Sequence, residues 1–274
     1  MTLPEEKTTA EKVAALSGLP VKVDVEAPLV RQEVLAEGVY KLTAAAPGIA
    51  LRANPGQFVQ VGISRGGTLL RRPLGLAEAD MVTGYVSLIY RVAGKGTMAL
   101  SQLKQGDSIK LLGPLGHGFG TKVEKTLLVG GGMGLSPLLY EAEYLFRHQL
   151  EADVLMGGRS AQEVFWRQLF KDYSSKIHIT TDDGSLGIKG FVTTILPDLL
   201  QENGYDLVIA CGPEIMMKNV AKICRDYGVT CEVSLERRMG CGLGACLSCS
   251  IDTVSGRRKV CKDGPVFPAE EVFF

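Results

Sequence analysis

The chain has 274 residues, enough for about two domains of ordinary size that each bury a hydrophobic core. Its 30 Lys and Arg residues balance 30 Asp and Glu residues, so no overall field attracts it to nucleic acid or a membrane surface, and neither is predicted as a partner. No apolar run reaches the roughly 20 residues of a membrane-spanning helix, and the polar N-terminus is unlike a signal peptide, so a cytoplasmic protein is expected.

The first part of the chain has the pattern of an antiparallel β-barrel. Residues 1–20 are rich in Glu, Lys and Thr and are predicted to form a loose or partly helical N-terminal extension. Residues 21–121 contain short alternating or apolar runs separated by turn signals such as Pro47-Gly48 and Gly106-Asp107, which is typical of a small barrel. The predicted strands are residues 21–25, 39–43, 58–63, 85–90 and 108–112.

Residues 122–234 change to a repeated sequence of strand, turn and helix. The strands lack internal polar residues and alternate with helices, which predicts a doubly wound parallel sheet covered on both faces. The expected fold class is therefore α/β plus all-β. The predicted strands are residues 126–130, 152–156, 176–181, 206–211 and 229–233, and the predicted helices are residues 135–149, 162–173, 191–202 and 214–227.

Residues 235–274 are too short for a core of their own, so a metal centre is expected to organise them. The segment contains four of the seven cysteines, separated by four, two and eleven residues. The first three reproduce the C-x4-C-x2-C spacing of plant-type [2Fe-2S] proteins, which also have a distant fourth cysteine. Zinc and a structural disulfide knot are the alternatives, although zinc sites usually pair two close couples. The predicted ligands are Cys241, Cys246, Cys249 and Cys261.

Two motifs of the parallel-sheet region lie where predicted strands end. A glycine turn at residues 130–134 joins a strand to a helix, where bare backbone and a helix N-terminus suit a pyrophosphate, although a tight connection alone would also need glycine. The Cys-Gly-Pro motif at residues 211–213 follows a strand at the sheet edge that binds ligands in doubly wound folds, and a buried residue before a turn explains it equally well. The candidate nucleotide-binding residues are Gly130, Gly131, Gly132, Gly134, Pro137, Gly212 and Pro213, with Cys211 as the candidate catalytic residue.

Two barrel segments, residues 71–75 and 89–97, place cations and exposed backbone just after apolar strands. A guanidinium can grip a diphosphate bidentately, and a Gly-Thr pair offers backbone and hydroxyl donors. Each segment alone is also consistent with a solvated turn.

Together these motifs resemble the ferredoxin-reductase superfamily, whose members join an FAD-binding barrel to an NAD(P)-binding domain. The C-terminal segment is similar to that of the electron-transfer subunits of dihydroorotate dehydrogenase B, an enzyme of pyrimidine synthesis. The resemblance covers nearly everything after residue 21. The segments that carry it, in the expected order, are residues 55–59, 72–73, 94–97, 113–116, 130–134, 211–213, 236–246 and 259–267.

The resemblance implies three cofactors: FAD, a [2Fe-2S] cluster and NAD(H). The nicotinamide is expected near Cys211. Leu74 stands where many relatives have a tyrosine, and Gly75 replaces a serine or threonine whose hydroxyl can bond the flavin. The residues implied to bind FAD are Arg72, Pro73, Leu74, Gly75, Ile89, Tyr90, Arg91, Gly96 and Thr97.

The resemblance also implies a partner, an FMN-containing dihydroorotate dehydrogenase catalytic subunit, in a heterotetramer of two copies of each chain. Electrons would pass from dihydroorotate through the partner's flavin, the cluster and FAD to NAD+. The alternatives are a diaphorase subunit of a soluble hydrogenase or of a ferredoxin:NADP oxidoreductase complex, and, from another class, an iron-sulfur redox sensor. Arg159 suits the 2'-phosphate of NADP, whereas Asp182 and Asp183 would repel it, and the family resemblance favours NAD.

Overall fold

The computed structural model describes residues 22–63, 69–120 and 123–273, so the predicted extension at residues 1–20 lies outside the described residues. The first half is a closed antiparallel barrel with the strand order β1-β2-β5-β4-β3-β6, as the sequence predicts. Two short helices, α1 (Pro47–Ala50) and α2 (Lys95–Ser101), interrupt the strands. The strands are β1 (Val23–Ala36), β2 (Val39–Ala45), β3 (Phe58–Ile63), β4 (Arg72–Asp80), β5 (Tyr85–Arg91) and β6 (Ser108–Leu115).

Two barrel strands differ from the sequence prediction. β1 continues to residue 36, because its first half pairs with β6 up to Pro28 and its second half pairs with β2 from Leu29. β4 was not predicted, since Pro73 and Gly75 are turn signals within it. Pairing with β3 on one side and β5 on the other overrides that local preference, so residues 72–75 lie within a strand rather than after one.

The second half is built on a seven-stranded sheet with the order β10-β9-β8-β7-β11-β12-β15, in which β15 is Val266–Pro268 of the C-terminal segment. All neighbouring strands are parallel except β12 and β15, which confirms the predicted parallel sheet. Helices cover both faces. The elements are β7 (Lys125–Gly131), α3 (Leu135–Arg147), β8 (Glu151–Gly158), α4 (Arg167–Phe170), β9 (Ile177–Thr181), β10 (Ile188–Lys189), α5 (Val192–Asn203), β11 (Leu207–Cys211), α6 (Glu214–Asp226) and β12 (Thr230–Ser234).

The side chains of β7 show how the sheet is buried. Leu127 and Val129 pack on the face covered by α5 and α6, whereas Leu128 packs on the face covered by α3 and α4. Alternate residues of a strand point to opposite faces, so a strand buried on both sides is apolar throughout. The sequence signal for a doubly wound sheet therefore had this physical cause.

The predicted helix at residues 162–173 was wrong. The structure has a single turn at Ala161–Glu163 and the four-residue helix α4. Val164 and Trp166 are both buried in the same core, yet they are only two residues apart. Residues two apart on a continuous helix do not face the same side, so packing both side chains inward breaks the helix.

The C-terminal segment shares the core of the parallel-sheet domain. β15 (Val266–Pro268) pairs with β12, and Cys249, Cys261 and Phe267 belong to the same buried cluster as the side chains under α5 and α6. The expectation that a metal centre organises this segment omitted this shared packing. The other elements of the segment are β13 (Ser250–Thr253), β14 (Gly256–Lys259), α7 (Val260–Asp263) and α8 (Ala269–Val272).

None of the described helices is long and apolar enough to span a bilayer.

Candidate functional site

The four C-terminal cysteines form two thiol pairs in one loop region. The amide of Cys246 donates to Cys241 Sγ at 3.4 Å, and the amide of Cys241 donates to Cys246 Sγ at 3.4 Å. Cys249 and Cys261 form the second pair, in which the amide of Cys261 donates to Cys249 Sγ at 3.5 Å. The first pair lies toward the surface and the second is buried. The structure thus arranges the four predicted ligands as an outer pair and an inner pair.

Hydrogen-bond donors around the first pair favour thiolates. The Ser248 hydroxyl, 3.2 Å from Cys246 Sγ, lowers the pKa of that thiol to about 6. Burial works to raise the pKa of Cys241, but the backbone amides of Leu243 and Cys246 outweigh it, and the pKa is lowered. In the inner pair, burial and the neighbouring Cys249 raise the pKa of Cys261 to about 12. Metal binding there would have to release a proton, which couples ligation to pH.

The donor set consists of four thiols, which both zinc and iron-sulfur clusters accept. The cysteines associate two and two, Cys241 with Cys246 and Cys249 with Cys261. A two-iron cluster also divides its four cysteines between the irons. The donor set therefore fits a [2Fe-2S] cluster.

The predicted FAD residues line the junction of the barrel with the parallel-sheet domain. The Arg72 guanidinium lies directly on Gly96, where a Cβ would overlap it. A Cβ built on Gly75 would be 3.5 Å from Pro137 Cβ at the start of α3. The Ser136 hydroxyl donates to the Ile89 carbonyl at 3.4 Å. An arginine on bare backbone beside a domain boundary is a cradle that fits the diphosphate of FAD.

Three of the predicted FAD side chains point elsewhere. Tyr90 is buried inside the barrel, where its hydroxyl donates to Gln32 Oε1 at 3.2 Å and burial raises its pKa. Leu74 packs against the same barrel core. The Thr97 hydroxyl accepts the Ala93 amide at 2.9 Å and so closes its own turn. These residues would therefore contact a cofactor through their backbone. The Thr97 hydroxyl would do so only after breaking its bond with the Ala93 amide.

The glycine turn and the Cys-Gly-Pro motif meet at the carboxyl edge of the parallel sheet. Cys211 pairs with Gly130 across β11 and β7, and a Cβ on Gly134 would overlap the Cys211 carbonyl. Only glycine allows this close approach. A cleft of about 370 Å³ opens beside the contact. Its lining residues are Gly131, Gly132, Met133, Gly134, Gly212, Pro213, Glu214, Met217, Glu236 and Arg237.

The Cys211 thiol does not line that cleft. The side chain is 1% exposed, its sulfur lies 3.6 Å from the Ser234 carbonyl oxygen, and burial raises its pKa. Two residues that the sequence analysis used only as family markers do line it. Burial raises the pKa of Glu236, and Arg237 Nη1 donates to Glu214 Oε2 at 2.9 Å. In the sequence, Glu236 and Arg237 stand out only because they lie shortly before the first cluster cysteine. That position gives no indication of a nucleotide cleft.

A third missed residue is Gln60 of β3, whose side chain is fully buried against the cluster loop. A glutamine within an apolar strand was a visible anomaly in the sequence.

Arg159, the candidate residue for binding the 2'-phosphate of NADP, is already bonded to a carboxylate. Its Nε donates to Glu163 Oε1 at 2.9 Å, and its amide donates to Glu163 Oε2 at 3.0 Å. The hydrogen bond from Arg159 is the main reason that the pKa of Glu163 is lowered. Asp183, after β9, accepts the Ser185 hydroxyl at 2.6 Å. The Glu163 carboxylate therefore occupies the face of the Arg159 guanidinium that a 2'-phosphate would need.

Comparisons with known proteins agree with these sites. Residues 26–119 match the oxidoreductase FAD-binding domain family, and residues 236–273 match the iron-sulfur cluster binding domain of dihydroorotate dehydrogenase B. The chain is 39% identical to the dihydroorotate dehydrogenase B (NAD(+)) electron transfer subunit of Clostridium acetobutylicum, over 86% of this chain and 92% of that protein. It is also 39% identical to the subunit of that name from Geobacillus thermodenitrificans, over 89% and 96%.

The structural comparison gives a related result. A solved structure of an NADH-dependent reduced ferredoxin-NADP oxidoreductase, described in connection with flavin-based electron bifurcation, has a TM-score of 0.82 and 34% identity. It covers 90% of this chain and 89% of that one. The ferredoxin reductase of carbazole 1,9a-dioxygenase, 21% identical with a TM-score of 0.64, shares the fold over 76% of this chain and 67% of that one. Because it is 39% identical to these subunits over most of both chains, the protein belongs to the family of dihydroorotate dehydrogenase B electron transfer subunits.

Proposed function

We propose that this chain carries electrons from a dihydroorotate dehydrogenase catalytic subunit, through a [2Fe-2S] cluster and FAD, to NAD+ in pyrimidine biosynthesis. The observation that carries the proposal is the two-pair cysteine loop, which adjoins the barrel in a chain 39% identical to subunits of that name. When bound, FAD would link the two-electron hydride chemistry of NAD(H) to the one-electron chemistry of the cluster. The chain's own residues bind and orient the three groups.

Cys241, Cys246, Cys249 and Cys261 would hold the cluster. Donors already directed at the sulfurs, such as the Leu243 amide at 3.3 Å from Cys241 Sγ, would stabilise its negative charge. The loop also has a side open to a partner, because Leu243 and Leu247 are 45% and 60% exposed. Large apolar side chains exposed beside a redox centre suit a protein interface. The partner proposed to dock there is the FMN-containing catalytic subunit, in a heterotetramer of two copies of each chain.

FAD would bind along β4 and β5, and Arg72 with the Gly96 turn would hold its diphosphate. Arg91, at 4.0 Å from Glu163, adds a second cation at the same boundary. Gly75 would leave the flavin without the hydroxyl donor of related proteins. The chain's contribution here is orientation, since β4 packs on the first turn of α3 and so aligns flavin and nucleotide.

NAD(H) would bind across Gly131, Gly132 and Gly134, with Gly212 and Pro213 on the opposite side of the cleft. The Cys211 side chain, buried as it is, would act near the nicotinamide only if the loop moves on binding. Preference for NAD over NADP is supported by Glu163, whose carboxylate binds Arg159 and would repel a 2'-phosphate.

The proposed organisation is a barrel domain at residues 21–121, a nucleotide domain at 122–234 and a cluster segment at 235–274. A boundary near residue 121 is supported by the end of β6 at Leu115 and the start of β7 at Lys125. The cytoplasmic location expected from the sequence is also part of the proposal. Its support is the cysteine loop, whose thiols are proposed to bind metal rather than to form disulfides, as in a reducing compartment.

A second candidate function is the corresponding subunit of a ferredoxin:NADP oxidoreductase complex. The observation that favours it is the 34% identity to the solved NADH-dependent ferredoxin-NADP oxidoreductase. The two functions share cofactors and differ in the partner.

Copurification of the chain with the product of its neighbouring gene distinguishes them. The first proposal expects dihydroorotate-dependent reduction of NAD+ and, in reverse, orotate-dependent oxidation of NADH. Cys246→Ser should abolish this activity and the electron-paramagnetic-resonance signal of the cluster. Cys224→Ala, which removes a fully buried thiol outside the loop, should leave both intact. A complex that reduces ferredoxin or NADP but never turns over dihydroorotate would replace the first proposal with the second.

A further inference from the structure

Gln60 in β3 carries a buried amide that lacks a partner. The residue is 0% exposed, and neither Oε1 nor Nε2 has a hydrogen bond within the described part of the chain. Leaving a buried amide unpaired costs about 1 to 3 kcal/mol. A side chain of the same size without polar atoms would fill the space without that cost. The presence of a glutamine at this position therefore suggests a polar ligand that its amide would contact.

The side chain points out of the barrel. Its strand neighbours Val59 and Val61 belong to the barrel core, whereas Phe58, two residues before Gln60, packs in the core that contains Cys249 and Cys261. Side chains alternate along a strand, so Gln60 shares the outward face of Phe58. That face is turned toward the C-terminal segment.

The contact on that face is the cluster loop itself. A Cβ built on Gly242 would lie 2.6 Å from Gln60 Cγ and 2.7 Å from Gln60 Nε2. Gly242 follows the first cysteine of the loop and has a φ of +71°, which a residue with a side chain adopts at a cost. Glycine at this position thus removes the atom that would separate the Gln60 amide from the loop.

The same residue adjoins the strand proposed to bind FAD. Gln60 is the cross-strand partner of Pro73 in β4, one residue after Arg72. Of the two cofactor sites, the loop at Gly242 is the one that its Nε2 atom approaches. The sulfur atoms of an iron-sulfur cluster are acceptors, so they would attract the amide N–H and repel the amide oxygen.

We infer that Gln60 Nε2 donates a hydrogen bond, from the barrel side, to a sulfur atom of the cluster held by the loop at residues 241–261, and so raises the reduction potential of that cluster. The inference rests on the proposed function, because it requires a [2Fe-2S] cluster in the loop. Reduction makes the cluster more negative, and a donor stabilises the reduced form more than the oxidised form. Gln60 would contact the cluster and adjust its potential, but it accepts and releases no electron itself.

The test is Gln60→Met in the full chain, since methionine keeps the volume and removes both polar ends. Loss of one charge-assisted hydrogen bond should change the ratio of reduced to oxidised cluster about tenfold at fixed potential, a decrease in midpoint potential of about 59 mV for one electron. The measurement is a redox titration followed by electron paramagnetic resonance, with the flavin followed by its absorbance. The flavin potential should not change.

Gln32→Met is the matched control. Gln32 is also a barrel glutamine, but its Nε2 donates to the carbonyls of Ser101 and Leu103 at 3.1 Å, away from the cluster loop. This variant should lose stability and keep the cluster potential. The inference is overturned if Gln60→Met retains its iron with an unchanged cluster potential, or if only the flavin potential changes.

A second measurement uses the wild-type protein and so does not depend on whether a variant folds. Wild-type protein labelled with ¹⁵N in glutamine side chains should show a weak ¹⁵N coupling to the reduced cluster in pulsed electron paramagnetic resonance. Absence of that coupling would also overturn the inference. Iron content and the cluster signal of the wild-type protein test the proposed function separately, because a protein without them fails before any variant is compared.

Discussion

Glu141 in α3 is a fully buried carboxyl group without a hydrogen-bond partner in the described part of the chain. Burial, with a smaller contribution from Glu232, raises its pKa to about 8 from an ordinary value near 4.5. Glu232 is partly buried and accepts the Gly120 amide at 2.8 Å, and burial raises its pKa as well. We predict that Glu141→Gln stabilises the protein in alkaline solution and has little effect in acid.

The sign follows from proton linkage. Between pH 4.5 and about 8 the unfolded chain releases the Glu141 proton while the folded chain keeps it, so the free energy of unfolding falls as the pH rises. Below that window both states are protonated, and above it the loss is complete. Each pKa unit is worth about 1.36 kcal/mol, so the full loss is roughly 5 kcal/mol. Glutamine is neutral throughout and avoids it.

The assay compares thermal unfolding midpoints of the cofactor-loaded wild type and Glu141→Gln between pH 5 and pH 9. Because a change of 1 kcal/mol moves the midpoint by about 2 to 4 °C in a chain of this size, the variant should exceed the wild type by at least several degrees at pH 9. The two should differ far less at pH 5. Glu202→Gln, which changes an exposed glutamate, controls for the altered net charge. A difference between variant and wild type that stays constant with pH would refute the reasoning.

Three further predictions concern the nucleotide and flavin sites. Gly75→Ser should fold normally, because its Cβ meets α3 at an ordinary contact distance of 3.5 Å, and should shift the flavin potential measured by absorbance titration. Gly134→Ala should weaken NADH binding by more than tenfold in a fluorescence titration while FAD content is kept, since the new Cβ overlaps the Cys211 carbonyl. Glu163→Gln should release Arg159 and raise kcat/KM for NADPH relative to NADH by up to about fivefold, the worth of an exposed ion pair; an unchanged ratio would contradict it.

The sequence predicted those parts of the fold in which local pattern and tertiary packing agree. The apolar strands of the parallel sheet are buried on both faces, so their composition alone predicted them. β4 was missed because Pro73 and Gly75 disfavour a strand locally, and only pairing with two neighbours makes it one. The helix at residues 162–173 was predicted wrongly because the burial of Trp166 depends on the face of a sheet that is distant in sequence.

The candidate sites show the same division. The cysteine spacing predicted four ligands, which the structure arranges as two pairs, because a cluster loop is a local feature of the chain. The roles of Gln60 and Glu236 were not predictable, since each depends on a contact between segments far apart in sequence. Tyr90 and Leu74 were carried over by motif position, but strand alternation turns both side chains into the barrel.

The position of the cluster loop is set by backbone contacts of the C-terminal segment with both domains. The amide of His117 in the barrel loop donates to the Gly264 carbonyl at 2.6 Å, and the amide of Leu235 after β12 donates to the Pro265 carbonyl at 2.9 Å. β15 then adds to the edge of the parallel sheet. Because Gly264 is bonded to the barrel loop and Val266 pairs with Ser234 of the sheet, any movement of the barrel relative to the sheet would strain the segment that carries the cluster loop. The spacing between cluster, flavin and nucleotide is therefore a property of this three-way junction, and a cluster segment detached from either domain would lose it.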